Sequence, residues 1–308
     1  MVPSSESVII IAEIGECYNG SLDVARRLID AAQQAGCDYV KFQTLDIEGI
    51  GNDDPEREWF LKIALTEERI DHLISIAQAA GIAICFTPEN PKTASRLYER
   101  GLGVIKLASS SLIDAALQEY VASHFDRVFF STGMGTLDEV AAAVERLEKV
   151  QELFILHCVS EYPTGPLLAK EGLRALRSRD VHLNMMRMLA LLFPRHQVGF
   201  SDHTDGVLAP IAAVAAGAKV IEKHVTLDRS TPIRNYRERR DYLGTDHVLS
   251  LEPDELKRMV AQIREIETML GDWRWERSEG EKLLVLSAQP FSIPERRGGM
   301  RWACRAAF

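Results

Sequence analysis

At 308 residues, with 46% hydrophobic and 26% charged side chains, the chain has the composition of a globular protein with a sizeable core, and its length fits two ordinary domains or one large α/β barrel. A net charge of −9 argues against a broad nucleic-acid or anionic-membrane surface, which leaves small-molecule partners and a local basic pocket as the expectation. Five cysteines at wide spacings with no CxxC argue against a disulfide scaffold, and the start "MVPSSESVIIIAE" has neither the basic flank nor the apolar length of a signal or membrane span, so a cytoplasmic protein with reduced thiols is expected.

In chain order, short β-branched runs alternate with amphipathic, Ala-rich segments. The predicted strands are 8–13, 39–43, 82–86, 104–108, 127–131, 153–159, 198–201 and 220–224. Between them, "SLDVARRLIDAAQQAG" reads as a helix capped by Ser21, and "TLDEVAAAVERLEKV" as one capped by Thr136. A helix near residues 253–270 completes eight βα units. That rhythm predicts an α/β fold of the TIM (β/α)8 barrel type over residues 1–275, followed by a short tail, 276–308. A doubly wound sheet is the second choice, but no GxGxxG follows the first strand.

A barrel of this kind packs its interior with apolar side chains except at the C-terminal mouth, where strand ends and βα loops build active sites. The strand ends here carry Glu13; Lys41 and Gln43; Thr87; Lys106 and Ser109; Ser131 and Thr132; His157 and Ser160; Ser201, Asp202 and His203; Glu222 and His224. Strand alternation puts Lys41 with Gln43, Ser201 with His203, and Glu222 with His224 on shared faces. Buried charge is costly unless paired or ligated, so such a ring suggests a ligand. Two imidazoles on the final strands, with carboxylates beside them, suit a divalent metal with open positions. Two lysines with several hydroxyls suit a phosphorylated, carboxylated substrate.

Each residue also has a plainer reading. A lone strand histidine is more often a hydrogen-bonded core residue than a ligand, and His157 divides evenly between the two. Strand-end lysines are usually paired with a nearby acid, and Thr204 or Asp205 fits a helix cap. The coincidence of eight polar strand ends favours a site.

The motifs "IIAEIGECYNGSLDVARRLIDAAQQAGCDYVKFQT", "VIKLASS", "FFSTGM", "LHCVSEYPT", "VGFSDHTDG" and "VIEKHVTLDR" resemble, in order over about residues 8–270, the strand-end motifs of the sialic acid synthase family. The resemblance implies an N-acetylneuraminate synthase-like enzyme that condenses phosphoenolpyruvate with an acylamino-hexose. It implies a divalent metal, Mn2+ or Mg2+, on His203 and His224. It assigns phosphoenolpyruvate contacts to Lys41, Thr87, Lys106, Ser109, Ser131 and Ser201, and sugar contacts to Glu13, Tyr162 and Asp246, the last in "GTDH" where "GPDH" is usual. Ser160 joins the substrate-binding set, and Glu13, Lys41 and Lys106 are the candidate catalytic residues, with Glu13 handling a proton.

Three departures mark this chain. Ser111 stands where the family usually has a sugar-holding Glu; residues 230–243 form an arginine-rich insertion, read as either an active-site lid or a solvated loop; and the tail is too short for the antifreeze-like domain whose arginine reaches a partner subunit's site in relatives. The resemblance carries a homodimer with it. A synthase for a different sugar, or a sugar-binding barrel without turnover, are the alternatives, and a Schiff-base aldolase on Lys106 or Lys223 is a further reading.

Overall fold

The computed structural model describes residues 7–45, 47–54, 57–162, 176–235, 240–243, 245–271 and 276–287. Eight strands, β1 (Ile9–Glu13), β2 (Tyr39–Gln43), β3 (Ala83–Thr87), β4 (Val104–Leu107), β5 (Arg127–Ser131), β6 (Glu152–Cys158), β7 (Gln197–Asp202) and β8 (Val220–His224), form one sheet in the order β3-β2-β1-β8-β7-β6-β5-β4. All the pairings are parallel, and β3 and β4, at the two ends of that order, pack side by side. This is the expected (β/α)8 barrel, nearly closed.

The helices are α1 (Leu22–Ala35), α2 (Arg57–Ile63), α3 (Glu67–Ala80), α4 (Pro91–Tyr98), α5 (Ala115–His124), α6 (Leu137–Arg146), α7 (Asn184–Leu192), α8 (Leu208–Ala215), α9 (Thr245–Leu249) and α10 (Pro253–Leu270). The helix α1 shows how sequence sets these elements. The Ser21 hydroxyl accepts from the Val24 amide at its start, and Gly36 ends it at φ 85°, a left-handed geometry that favours glycine. Its buried stripe, Ala25, Leu28, Ile29, Ala32 and Ala35, follows the 3.6-residue period. Thr136 starts α6 in a reciprocal capping box with Glu139.

Two apolar layers result. Outward residues such as Ile10, Val40, Phe42, Ile84, Val128 and Phe200 pack under the helices. Inward residues Ile9, Ile11, Tyr39, Cys85, Phe129, Phe154, Leu156 and Val220 fill the barrel. Burying one such Phe or Ile stabilises the fold by about 1.5–3 kcal/mol. Gly199 belongs to this packing, since a Cβ there would lie 2.6 Å from both the Val220 carbonyl oxygen and Leu156 Cδ2. At the N-terminal end, Arg127 donates to the Tyr39 hydroxyl at 2.7 Å and lies over the Phe154 ring.

The described residues of the insertion after β8 form two antiparallel strands, β9 (Pro232–Asn235) and β10 (Arg240–Leu243), with Pro232 opposite Leu243, and β9 runs beside α2. The chain divides into two compact units, Met1–Leu270 and Gly271–Phe308; the second contains α11 (Glu279–Ser287). Among the described residues, no helix is long and apolar enough to cross a membrane.

Candidate active site

Strand alternation carries the inward face from apolar at the barrel's middle to polar at its C-terminal mouth. On β1 the inward series runs Ile9, Ile11, Glu13, and on β8 it runs Val220, Glu222, His224. The same parity brings Lys41 and Gln43, Lys106, Ser131, Cys158 and Ser201 to one cavity of about 310 Å³, with Ser109, Ser160, Tyr162 and His203 from the loops.

The floor of this cavity is an ionic array buried from water. Glu222 bridges two lysines: Lys41 Nζ lies 3.3 Å from Oε1 and Lys106 Nζ 3.4 Å from Oε2. Lys41 also lies 2.8 Å from Glu13 Oε2 and donates to Thr87 Oγ1 at 2.8 Å. These side chains are 2–6% exposed, so mutual pairing is what makes their charges tolerable. Burial works against the Glu222 carboxylate, but Lys106 and Lys41 outweigh it and hold the group down to about 2. Burial also opposes the Lys41 ammonium, yet Glu13 and Glu222 raise it above the usual lysine range. Lys106 is lowered by burial, with repulsion from Lys41 adding to the shift against Glu222. Glu13 is raised, first by burial and then by the Glu222 charge, against Lys41. Lys41 and Lys106 thus share the floor with two carboxyl groups, Glu13 and Glu222, the second of them firmly ionised.

Hydroxyls rim the floor. Ser131 Oγ is buried without a hydrogen-bond partner, as befits a group aimed into a ligand cavity. The Gly133 amide donates to Ser109 Oγ at 3.1 Å, and a Cβ at Gly133 would lie 2.2 Å from Ser160 Oγ and 2.7 Å from Ser109 Oγ. The glycine of "STGM" thus lets the β5 loop close onto the serines of β4 and β6.

The second half of the site is aromatic. The rings of His203 and His224 are 5.5 Å apart, with Tyr162 4.5 Å from His203 and 6.3 Å from His224. His203 Nδ1 lies 2.9 Å from the Val159 carbonyl; a carbonyl only accepts, so Nδ1 carries the proton and Nε2 keeps a lone pair in the neutral ring. His224 Nδ1 is buried with no hydrogen bond, 3.6 Å from Asp246 Oδ2. Burial, with His203 and Lys41 nearby, holds His224 well below the ordinary histidine value, so the ring is neutral. Asp246 is pushed up by burial and by Glu16 and Glu13. Cys158 Sγ is 3.9 Å from His203 Nδ1. Despite burial, the pair shift one another, Cys158 down to about 7 and His203 up to about 9.

The structure gathers Glu13, Lys41, Lys106, Ser109, Ser131, Ser160, Tyr162, Ser201, His203 and His224 around the cavity. Asp246, on α9, does not line the cavity: it lies 3.6 Å from His224 Nδ1 and lines the adjoining hollow with Glu16, Gln43, Phe60 and Tyr162. Thr87 is brought to Lys41 beneath the cavity and not to its wall. His157 falls outside: it faces the helices, stacked on Phe200 with Nε2 2.7 Å from the Val181 carbonyl, which is its core reading. Thr204 caps no helix, since its amide and hydroxyl bind Asp202. Lys223 is also outside, fully buried against Asp202, and so unavailable to a substrate carbonyl in the cavity. Ser111 is buried and off the cavity wall. Cys158 was not among the expected site residues, although it shares the inward parity of Leu156 and its neighbour His157 does not.

The chain is similar to known proteins over most of its length. The NeuB family model matches residues 28–274. An N,N'-diacetyllegionaminic acid synthase of Campylobacter jejuni is 33% identical over 90% of this chain and 81% of that protein. The human N-acetylneuraminate-9-phosphate synthase is 30% identical over 85% of this chain and 71% of that one. The crystal structure of an N-acetylneuraminic acid synthetase from Leptospira borgpetersenii, in complex with citrate, superposes with a TM-score of 0.77 at 28% identity, covering 94% of this chain and 93% of that one. With the family model matching residues 28–274, most of the chain, and a relative 33% identical over 90% of it, the chain belongs to the NeuB family of sialic acid synthase-like enzymes.

Proposed function

We propose that the enzyme condenses phosphoenolpyruvate with the open-chain aldehyde of an acylamino-hexose, giving a nonulosonic (sialic-type) acid and inorganic phosphate. The observation that carries this reading is the buried Lys41–Glu222–Lys106 array under a serine rim and beside two imidazoles. An anion with two charged ends, carboxylate and phosphate, matches two ammonium groups held apart by one carboxylate. Ser109, Ser131, Ser160 and Ser201 supply donors around it, and Thr87 orients the Lys41 ammonium.

Carbon 3 of phosphoenolpyruvate attacks the aldehyde carbon, water adds at carbon 2 of the resulting oxocarbenium, and phosphate leaves with cleavage of its C–O bond. Lys41 and Lys106 keep the reactant anion fixed through these steps, so its enol carbon stays in line with the aldehyde. Glu13, in contact with Gln43 and Lys41, serves the proton transfer to the aldehyde oxygen as it becomes a hydroxyl. Tyr162 and Asp246 flank the sugar end.

His203 and His224 fit a divalent ion: the neutral His224 ring has a buried, unpartnered nitrogen, and His203, with Nδ1 on the Val159 carbonyl, would offer Nε2 once a cation displaces its proton. Among the described residues, no group of three or more His, Cys, Asp or Glu side chains is placed to hold a metal ion, so the two imidazoles are the donors this reading rests on. When bound, Mn2+ or Mg2+ supplies Lewis-acid polarisation of the sugar aldehyde.

The test is release of inorganic phosphate from phosphoenolpyruvate with Mn2+ and a panel of acylamino-hexoses. Phosphate release that requires one of these sugars is expected; none with any member of the panel would overturn the reading.

A further inference from the structure

Behind the two imidazoles, on the outer faces of β7 and β8, lies a second ionic pair that touches no part of the cavity. Asp202 and Lys223 are register partners on adjacent strands, and Lys223 Nζ donates to Asp202 Oδ2 at 2.7 Å with both side chains fully buried. The same ammonium donates to the Thr204 carbonyl. Thr204 in turn donates to both Asp202 oxygens, from its amide to Oδ1 at 2.9 Å and from its hydroxyl to Oδ2 at 3.0 Å. The group closes on itself.

Its place in the chain is what gives it meaning. Asp202 and Thr204 bracket His203, and Lys223 immediately precedes His224. Strand alternation turns the imidazoles inward while this cluster faces outward, so each ring is carried on backbone fixed from behind. A buried ion pair is a poor device for stability alone, because well-packed apolar residues of similar volume usually serve as well or better. A device that fixes one strand end against its neighbour has a different use. The helix after His203 starts only at Leu208, with no side-chain cap, and leaves the β7 end to be held by other means.

We infer that the Asp202–Lys223 pair, with Thr204, is a positioning clamp that sets the spacing of His203 and His224 for a divalent cation. The inference rests on the assignment of those histidines as metal-holding residues. Groups that orient metal ligands from behind typically change affinity by about 10- to 100-fold when removed.

The test separates position from stability. In the full-length protein, Mn2+ affinity is measured by calorimetric titration and stability by thermal melting, for the parent, His203→Ala, the double variant Asp202→Leu/Lys223→Met, and Thr204→Val. The apolar double variant is expected to melt near the parent, yet to bind Mn2+ roughly 10- to 100-fold more weakly. Thr204→Val removes a single hydroxyl contact and is expected to weaken Mn2+ roughly two- to tenfold with the fold intact; it decides the matter if the double variant fails to fold. Parent-like Mn2+ affinity in the folded variants overturns the clamp while leaving the histidine assignment standing. A parent that binds no Mn2+, or a His203→Ala variant that binds it normally, overturns the assignment itself and the clamp with it.

Discussion

His203 and His224 face one another at the barrel mouth with ring centroids 5.5 Å apart, and the two differ in what engages them: His203 Nδ1 meets the Val159 carbonyl, whereas His224 Nδ1 is buried with no hydrogen bond. Replacing either with Ala is expected to abolish Mn2+ binding while the protein still melts cooperatively, because both lie at the mouth and not in the packed layers below. Calorimetric titration showing parent-like affinity in both variants would refute the assignment.

The two floor lysines are expected to separate by phenotype. Lys106 has Glu222 at 3.4 Å, whereas Lys41 neutralises Glu13 and Glu222 together. Lys106→Met should weaken phosphoenolpyruvate binding roughly ten- to a hundredfold, as expected for the loss of a charge-assisted bond of about 1.5–3 kcal/mol. Lys41→Met should do the same and also destabilise the fold, by about 3–5 kcal/mol, because buried carboxylates lose their partner. Equilibrium binding and melting on both variants check this, and phosphoenolpyruvate affinity unchanged in both would remove the anion site from the floor.

Acid stability should report Glu222. Its carboxyl is lowered from 4.5 to about 2 because Lys106 and Lys41 outweigh burial, so its stabilising contribution is fully present above 4.5 and is lost as the pH falls through about 2. The stability difference between the parent and Glu222→Gln is therefore expected to be largest above pH 4.5 and to shrink toward pH 2. Denaturant melts across that range measure it, and a difference independent of pH would mean that the carboxylate is not held ionised by the lysines.

Gly133→Ala should act on the anion and spare the metal. The added Cβ meets Ser160 Oγ at 2.2 Å and Ser109 Oγ at 2.7 Å, and so drives both hydroxyls from the rim. Weaker phosphoenolpyruvate binding with parent-like Mn2+ affinity is the expected pattern; normal binding of both would show that the rim serines do not contact the anion.

Local sequence determined more than the fold class. Each of the eight strands begins and ends within a residue or two of its expected bounds, because a β-branched apolar run flanked by polar residues has few other places to be buried. Strand parity alone put Lys41 with Gln43 and Glu222 with His224 on the inner face. Parity also distinguishes Cys158 from His157, although composition draws the eye to the histidine. What only the tertiary structure decided is the contact made across the ring. Glu222 of β8 meets Lys41 of β2 and Lys106 of β4, none of them on an adjacent strand, and Tyr162 reaches both imidazoles from a loop. The Asp202–Lys223 clamp depends likewise on the register of β7 against β8. A residue's own strand fixes which face it takes, but the distance between two inward side chains is set by closure, tilt and stagger of the whole barrel, and no local period in the chain encodes those.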